Sequence, residues 1–480
     1  MSQDRPDAVW PIGNKNEYPL GTDSFGVLFF NFKDGIKDEF YIKKYISQLF
    51  SVTSISRNNK LLLYSNGIHV YNNNLEIMEN GNDINPGELQ KNYYDSGYPA
   101  VNAIFSLFSP GNESKHIDLI HMQAEFNYGI YKECNGSFLY HTKIDLTSNN
   151  GLGKVIFKNK IIGRGPFKKG GMAACRHANG RDWWFAVNRC SDSLAVYLLD
   201  QNGPKFHHYD SIIRHFSNAP SQAVFSPDGR YFALHSNTQT ESEIHLFDFD
   251  RCTGRFSNHR LWNYIDLPHL PTAGVAFSPN SRFMYIISRE KIHQYNLEAA
   301  DIRASDQVVA EYDGHLDPFA PTVFFMAQLA PDGKIYINGR GSLHSLTVIN
   351  QPDLPGILCD VRQHAVPLFF QNDFSMPYFP CFTLGPETGS VCDSLIVSNE
   401  DLAEALQVQL YPVPASDQLH LDCPSGDIER VDMIDLNGTI VKHFFGNTRE
   451  LDIRDIRQGV YLLRCYGSKS NAVLKVVIQR

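Results

Sequence analysis

The chain has no apolar run near the ~18 residues that carry a helix across a bilayer, so no transmembrane helix is expected. It also lacks a basic cluster. Its 43 Lys and Arg stand against 52 Asp and Glu, for a formal charge of −9. Such a surface repels phosphate backbones, which argues against nucleic acid as a partner. The nine cysteines are scattered and contain no Cys-x-x-Cys, so no metal-ligand spacing is present and an odd thiol is left over. Gly-rich phosphate loops, His-Glu-x-x-His and Gly-x-Ser-x-Gly are missing too. Met1 to Trp10 holds no apolar leader, although an exported chain is made with one. The expectation is a leader already removed, or a start truncated at Met1. No long helical periodicity runs through the 480 residues.

Aromatic residues, by contrast, are abundant, with 23 Tyr and 32 Phe. Rings suit the pleated, half-buried surface of a strand. The length calls for two or more domains.

A hairpin repeat dominates the middle of the chain. Val224 to Leu234, Ala276 to Ile286 and Gln328 to Ile337 align as strand, tight turn, strand, with Pro227, Pro279 and Pro331 each 52 residues apart. The turns read Pro227-Asp228-Gly229, Pro279-Asn280-Ser281 and Pro331-Asp332-Gly333. Proline presets φ, Asp or Asn bonds the local backbone, and Gly accepts positive φ. Each hairpin leads into another strand pair, such as Ile244 to Phe249 and Ile292 to Leu297. Weaker copies lie at Ser54 to Tyr64, Phe105 to Ile120 and Met172 to Val187. Six hairpins at a period of about 50 residues predict propeller blades. A seventh blade is expected where Phe25 to Phe32 pairs with strands near Phe369 to Phe382.

The Phe-Ser-Pro-Asp-Gly turn followed by an aromatic strand resembles the blade hairpins of WD-repeat-like propellers found in bacterial periplasmic and surface proteins. The resemblance spans roughly residues 50–365 and implies a fold, not an activity. An all-β protein is therefore expected, a propeller of six to eight blades with seven favoured, over residues 1–392. A polar linker, 393–409, would follow.

Residues 410–480 read as a small immunoglobulin-like β-sandwich. Tyr411-Pro412-Val413-Pro414-Ala415 opens it, Asp435-Leu436-Asn437-Gly438 marks a hairpin turn, Gly459-Val460-Tyr461 begins a strand, and Leu474 to Ile478, with Lys475, ends it. This ordered set resembles the type A C-terminal sorting domain of the type IX secretion system of Bacteroidetes. Val413 and Thr439 depart from that pattern, where Asn and a basic residue are usual. The resemblance implies recognition by an outer-membrane translocon, cleavage by a sortase-like protease, and a secreted or outer-membrane surface location. Asp393-Ser394-Leu395 likewise resembles a short O-glycosylation site of that group.

Chemistry is thinner. Cys175 and His177 share a strand face, as do Ser342 and His344, but a blade strand accounts for both pairs. Asp248 and Asp250 sit two apart like calcium ligands, without the remaining ligands, so Asp250 and Thr253 are expected to close a turn. His116 and His121 fall on opposite faces, and adjacent His207 and His208 fail for the same reason. Asp228 and Asp332 should satisfy their own turns. Of Trp183 and Trp184, one is expected in the core and the other on a blade surface. No catalytic, cofactor or metal residue emerges, and no cofactor is expected. A binding or adhesion module with an unknown glycan or protein ligand is favoured, with loop aromatics such as Tyr93, Tyr94 and Tyr98 as contacts. Its rivals are a glycan hydrolase or lyase with carboxylates in the channel, and a structural part of an envelope assembly.

Overall fold

In the computed structural model the described residues are 5–13, 27–33, 36–42, 50–125, 135–190, 193–211, 221–237, 242–264, 274–317, 320–341, 343–372, 374–393, 408–423, 428–435, 440–446, 449–467 and 471–480. They form two compact units, Met1–Ile396 and Val397–Arg480. Of the expected linker, 393–409, residues 394–407 lie outside the described residues, Ser394 and Leu395 of the expected glycosylation signal among them.

The first unit is a chain of antiparallel meanders. β1 (Val9–Gly13), β2 (Val27–Lys33) and β3 (Ile36–Ile42) make the first, and β4 (Thr53–Arg57), β5 (Lys60–Ser65) and β6 (Val70–Asn72) the second. β7 (Ile104–Phe108), β8 (His116–Ala124) and β9 (Gly136–Asp145) run into β10 (Lys154–Arg176), and β11 (Trp183–Arg189), β12 (Ser193–Asp200) and β13 (Gly203–Ser211) continue the same sheet. β10 serves two meanders: Lys154 to Phe167 pairs with β9, and Phe167 to Arg176 pairs with β11. Two four-stranded sheets follow, β14 (Ser221–Phe225), β15 (Tyr231–Asn237), β16 (Ser242–Asp250), β17 (Arg255–Tyr264), then β18 (Gly274–Phe277), β19 (Phe283–Ile287), β20 (Lys291–Asn296), β21 (Gln307–Glu311). After the short pair β22 (Leu316–Asp317) and β23 (Ala320–Pro321) comes β24 (Phe324–Leu329), β25 (Ile335–Gly339), β26 (Leu343–Ile349), β27 (Val361–Asn372).

First strands pack on first strands in chain order: β1 on β4, β4 on β7, β10 on β14, β14 on β18, β18 on β24. The last meander returns to the first, where Trp10 meets Tyr336 edge-on at 5.7 Å and Phe32 does the same. Successive radial sheets closed on themselves are a β-propeller, which disposes of exposed sheet edges by repetition. Pro227, Pro279 and Pro331 occupy equivalent turns between the first and second strands of three successive sheets. Closure differs from the sequence expectation. β2 pairs with β1 and β3, and β27 with β26, so β2 and the strand that holds Phe369 belong to separate meanders. The hydrophobic pattern marked strands but could not assign partners across more than 300 residues of chain.

Aromatic rings are interspersed with aliphatic side chains through the packing. One continuous cluster includes Trp10, Phe30, Phe105, Trp183, Phe185 and Tyr378. At the axis Gln222, buried, donates to the Ala327 carbonyl at 2.7 Å and accepts from Val275 and Ala327 amides, tying three first strands together. A buried amide satisfied on both ends stabilises by roughly 1 kcal/mol per bond and specifies the register of its neighbours.

The second unit has a core of its own. A three-stranded sheet holds β28 (Gln409–Tyr411), β29 (Gln418–Asp422) and β32 (Glu450–Asp452). A four-stranded sheet runs in the order β31 (Ile440–Phe445), β30 (Ile428–Ile434), β33 (Gly459–Gly467), β34 (Asn471–Ile478). Leu419, Leu421, Val431, Met433, Leu463 and Val476 fill the space between them, making a small β-sandwich.

Candidate functional site

Beyond β27 the chain leaves sheet structure and crosses the end of the propeller that carries the Pro turns. Residues 374–393 form this strap. Ser375 donates to the Gly13 carbonyl, Tyr378 N–H to Val52, and Phe379 N–H to the Gln328 side chain. Cys381 Sγ approaches the Pro227 carbonyl at 3.2 Å, Glu387 N–H bonds Ala178, and Cys392 is disulfide-bonded to Cys252 across 140 residues. Arg251 clamps the strap from below, donating to the carbonyls of Arg176, His177 and Gly385. The strap thus touches the first, second, fourth, fifth and last meanders. Its sequence, Met376-Pro377-Tyr378-Phe379-Pro380, explains why it is not a strand: two prolines remove ladder donors, while the rings still bury.

Under the strap lies a cavity of about 260 Å³. Val224, Ala276, Leu329 and Phe382 give it apolar walls, and Pro227, Pro279 and Pro331 ring it. Its charged lining is Arg5 and Asp7. Arg5 donates from Nε and Nη2 to the two oxygens of Asp7 at 2.9 and 2.8 Å. Burial lowers the affinity of the guanidinium for its proton, but the Asp7 bond and charge outweigh it, so Arg5 is held above its ordinary value. Among the described residues Nη1 of Arg5 has no hydrogen-bond partner. Cys381 lines the same space, and burial pushes its thiol up, away from the reactive thiolate. Chemically the cavity offers apolar walls, one forked ion pair and a donor.

The sequence candidates scatter. Asp228 accepts from Ser226 and from Arg230 N–H, and Asp332 from Lys334 N–H and the Tyr336 hydroxyl; both satisfy turns. Gly229 and Gly333 sit at φ 74° and 79°, the left-handed values the turn requires. Asp250 accepts from Cys252 N–H and from Thr253, the expected turn. Cys175 and His177 do not meet as a pair: the buried thiol faces the Arg176 carbonyl, and His177 accepts from Asn179 N–H and stacks on Trp184. Ser342 lies outside the described residues, and His344 bonds Asp317. His121 is buried between Asn85 and Thr142. Burial lowers its pKa to about 3, so it stays neutral. His207 and His208 face each other, with His208 on Asp210. Two expectations are corrected. Trp183 and Trp184 are both buried, because Gly254 packs its backbone against the Trp184 ring. Tyr98 is buried with its hydroxyl against the Ala124 backbone, leaving Tyr94 as the exposed member of its loop. The strap and Arg5 escaped the sequence reading; a proline- and aromatic-rich run beyond the last repeat was the available signal.

In the sandwich the motif residues divide. Ala415 is buried and exchanges backbone bonds with Val477 and Gln479, which sets the opening segment beside β34. Tyr461 packs into the core and donates its hydroxyl to the Arg457 carbonyl, closing the turn before β33. Tyr411 is exposed and stacks on His420, and Lys475 is exposed on β34. Gly438 lies outside the described residues, whereas Asp435 directly follows β30, Gly459 and Val460 begin β33, and Pro412 and Pro414 precede Ala415.

Residues 409–479 match the family described as the secretion system C-terminal sorting domain. No curated protein matches the chain. Among solved structures, a protein from Lactobacillus plantarum is similar at 12% identity over 77% of this chain and 98% of that one, with a TM-score of 0.43. The periplasmic gluconolactonase of Pseudomonas aeruginosa is similar at 11% over 76% and 98%, TM-score 0.41. PorZ, a surface component of the type IX secretion system of Porphyromonas gingivalis, is similar at 12% over 95% and 69%, TM-score 0.30. These likenesses say nothing of activity. No helix among the described residues is long and apolar enough to cross a membrane. The chain is a β-propeller that ends in a type IX secretion sorting domain, and it is therefore secreted or displayed at the cell surface.

Proposed function

We propose that the propeller is the cargo's working part, a surface binding module for a glycan or peptide, and that the sandwich is its export address, read by the translocon and cut by a sortase. Domain limits of 1–392 and 410–480 suit this division. The observation that carries the binding role is the cavity beneath the strap. Its carboxylate is engaged on both oxygens by Arg5, while an open N–H of Arg5 between apolar walls suits a ligand carbonyl or hydroxyl. Enzymatic use would instead call for clustered titratable groups with perturbed affinities in that space. Glycan and peptide arrays probed with the full chain test the proposal. A ligand whose binding falls about tenfold in Arg5→Ala, the scale of one charge-assisted hydrogen bond, supports it. Turnover of a polysaccharide or peptide, abolished by Asp7→Asn, overturns it.

A further inference from the structure

The two edges of the sandwich's four-stranded sheet are unlike. On the β34 side, Ala415 exchanges backbone bonds with Val477 and Gln479, so that edge is partly covered from within the chain. The β31 side has no strand beyond it among the described residues. β31 reads Ile440-Val441-Lys442-His443-Phe444-Phe445, and Ile440 and Val441 are 45% and 41% exposed. An exposed apolar edge strand is a template for another strand, and proteins ordinarily guard against it.

Register identifies the open groups. The Gly446 N–H bonds the Glu429 carbonyl, and Phe445 stands opposite Arg430, Phe444 opposite Val431, His443 opposite Asp432. Ladder bonds alternate along an antiparallel pair, so the N–H and C=O of His443 point away from β30. Its side chain lies on the outer face, hydrogen-bonded through Nδ1 to Asp432 at 2.7 Å.

That outer face is cationic. Arg430, Arg464 and Lys475 lie on it with Asp432 as the opposing charge, and Asp432 is already engaged by Arg430 and His443. On the inner side Lys442 is spent on Asp455 and the Asp452 carbonyl, beside the partly buried Phe444. A second copy paired antiparallel about His443 would set His443 opposite its own kind and continue one cationic outer face into another. A strand alternating acidic and apolar residues meets no such penalty.

We infer that β31 is the tail's docking edge and that its occupant is an extended acidic–apolar segment of the export machinery, added as a fifth strand. This rests on the sorting reading of the tail and names the part of it that is read. Affinity in such additions comes from main-chain bonds and specificity from alternate side chains.

Three arms test it with the full chain. A labelled peptide of about eight alternating Glu and Val residues, the length of a strand, should bind and slow amide exchange at His443, whereas its Lys–Val counterpart should not. His443→Pro removes the edge N–H and should weaken binding about tenfold or more, while His443→Ala keeps it and should bind nearly as well. In cells, removal of residues 409–480 should stop export, His443→Pro should stop it, and His443→Ala should allow it. If tail removal leaves export intact, the sorting reading itself fails. If tail removal stops export but His443→Pro is exported, the edge proposal alone fails. Because His443→Pro could unfold the sandwich, exchange in the unaltered chain decides that case: equal protection by both peptides, or none, overturns the proposal, as does a dimer in sedimentation whose interface protects β31.

Discussion

The propeller and the sandwich solve the same problem, burying strands, with different materials. The propeller's core is rich in rings set among aliphatic side chains, with Trp10, Trp183, Phe105 and Phe185 in one cluster. The sandwich's core is aliphatic, with Leu, Ile, Val and Met and one tyrosine, Tyr461. Connectivity differs as well. Every propeller sheet is a meander of consecutive strands, while the sandwich interleaves β30, β31, β33 and β34 in one sheet and β28, β29 and β32 in the other. Meanders leave the wedge-shaped gaps between radial sheets to be filled by large side chains, whereas two facing sheets need only residues that interdigitate over ~10 Å. The difference teaches that the address is a self-sufficient package and the propeller a ring that stands or falls together.

The largest expected effect is on delivery. Removing residues 409–480 should leave the propeller in the periplasm of its native host, measured by fractionation and surface proteolysis; normal surface display would break the division of labour between the two units. Next comes the ring. Trp183→Ala should cost the propeller about 3–5 kcal/mol by cavity formation. All four tryptophans, Trp10, Trp183, Trp184 and Trp262, are in the propeller, so their emission follows that unit alone. The sandwich, followed by far-ultraviolet dichroism, should unfold at an unchanged denaturant concentration, and a parallel shift would show the two units to be one cooperative body.

Breaking the strap should be somewhat milder. Cys252→Ser opens a loop of 140 residues and should lower propeller stability by about 2–4 kcal/mol, with new protease cuts in 374–393. Unchanged stability and protection would mean that Arg251 and the apolar contacts hold the strap unaided.

Acid should separate the units most delicately. Burial lowers His121 to about 3 and His235 to about 4. A histidine whose folded pKa is depressed contributes stability present above its unfolded value near 6.5 and lost as pH falls through that value toward the folded one. The propeller should therefore weaken between about pH 6.5 and 4. In the sandwich the depressed groups are carboxylates. Burial raises Asp432, but bonds from His443 and Arg430 more than offset it, and Arg454 lowers Asp452. Their stabilisation is present above the unfolded value near 3.9 and lost only as pH falls below it. Titrating both signals from pH 8 to 3 should show tryptophan emission changing first, by about 1–2 kcal/mol at pH 6 for the two histidines together and more below; His121→Gln should move that midpoint to lower pH. A sandwich that weakens first would reverse the comparison.

Much of this was legible in advance where the determinant was local. Pro227-Asp228-Gly229 and its two companions specify a turn through φ, a side-chain acceptor and a positive-φ residue within four positions of each other, so the repeat and the blade were readable from spacing alone. The sandwich was readable because Ala415, Tyr461 and the final alternating strand appear in a fixed order at the chain's end. What the sequence could not decide is which distant pieces meet. β2 and Phe369 look like partners by composition, yet Trp10 against Tyr336 closes the ring. Nothing near Trp184 foretells Gly254 as its lid, and nothing near Arg5 foretells a cavity under Phe379 and Cys381. Turn chemistry acts over a few bonds and is written in neighbouring residues. Burial, the strap and the open edge at His443 depend on contacts between segments far apart in the chain, and those are settled only when the whole chain excludes water together.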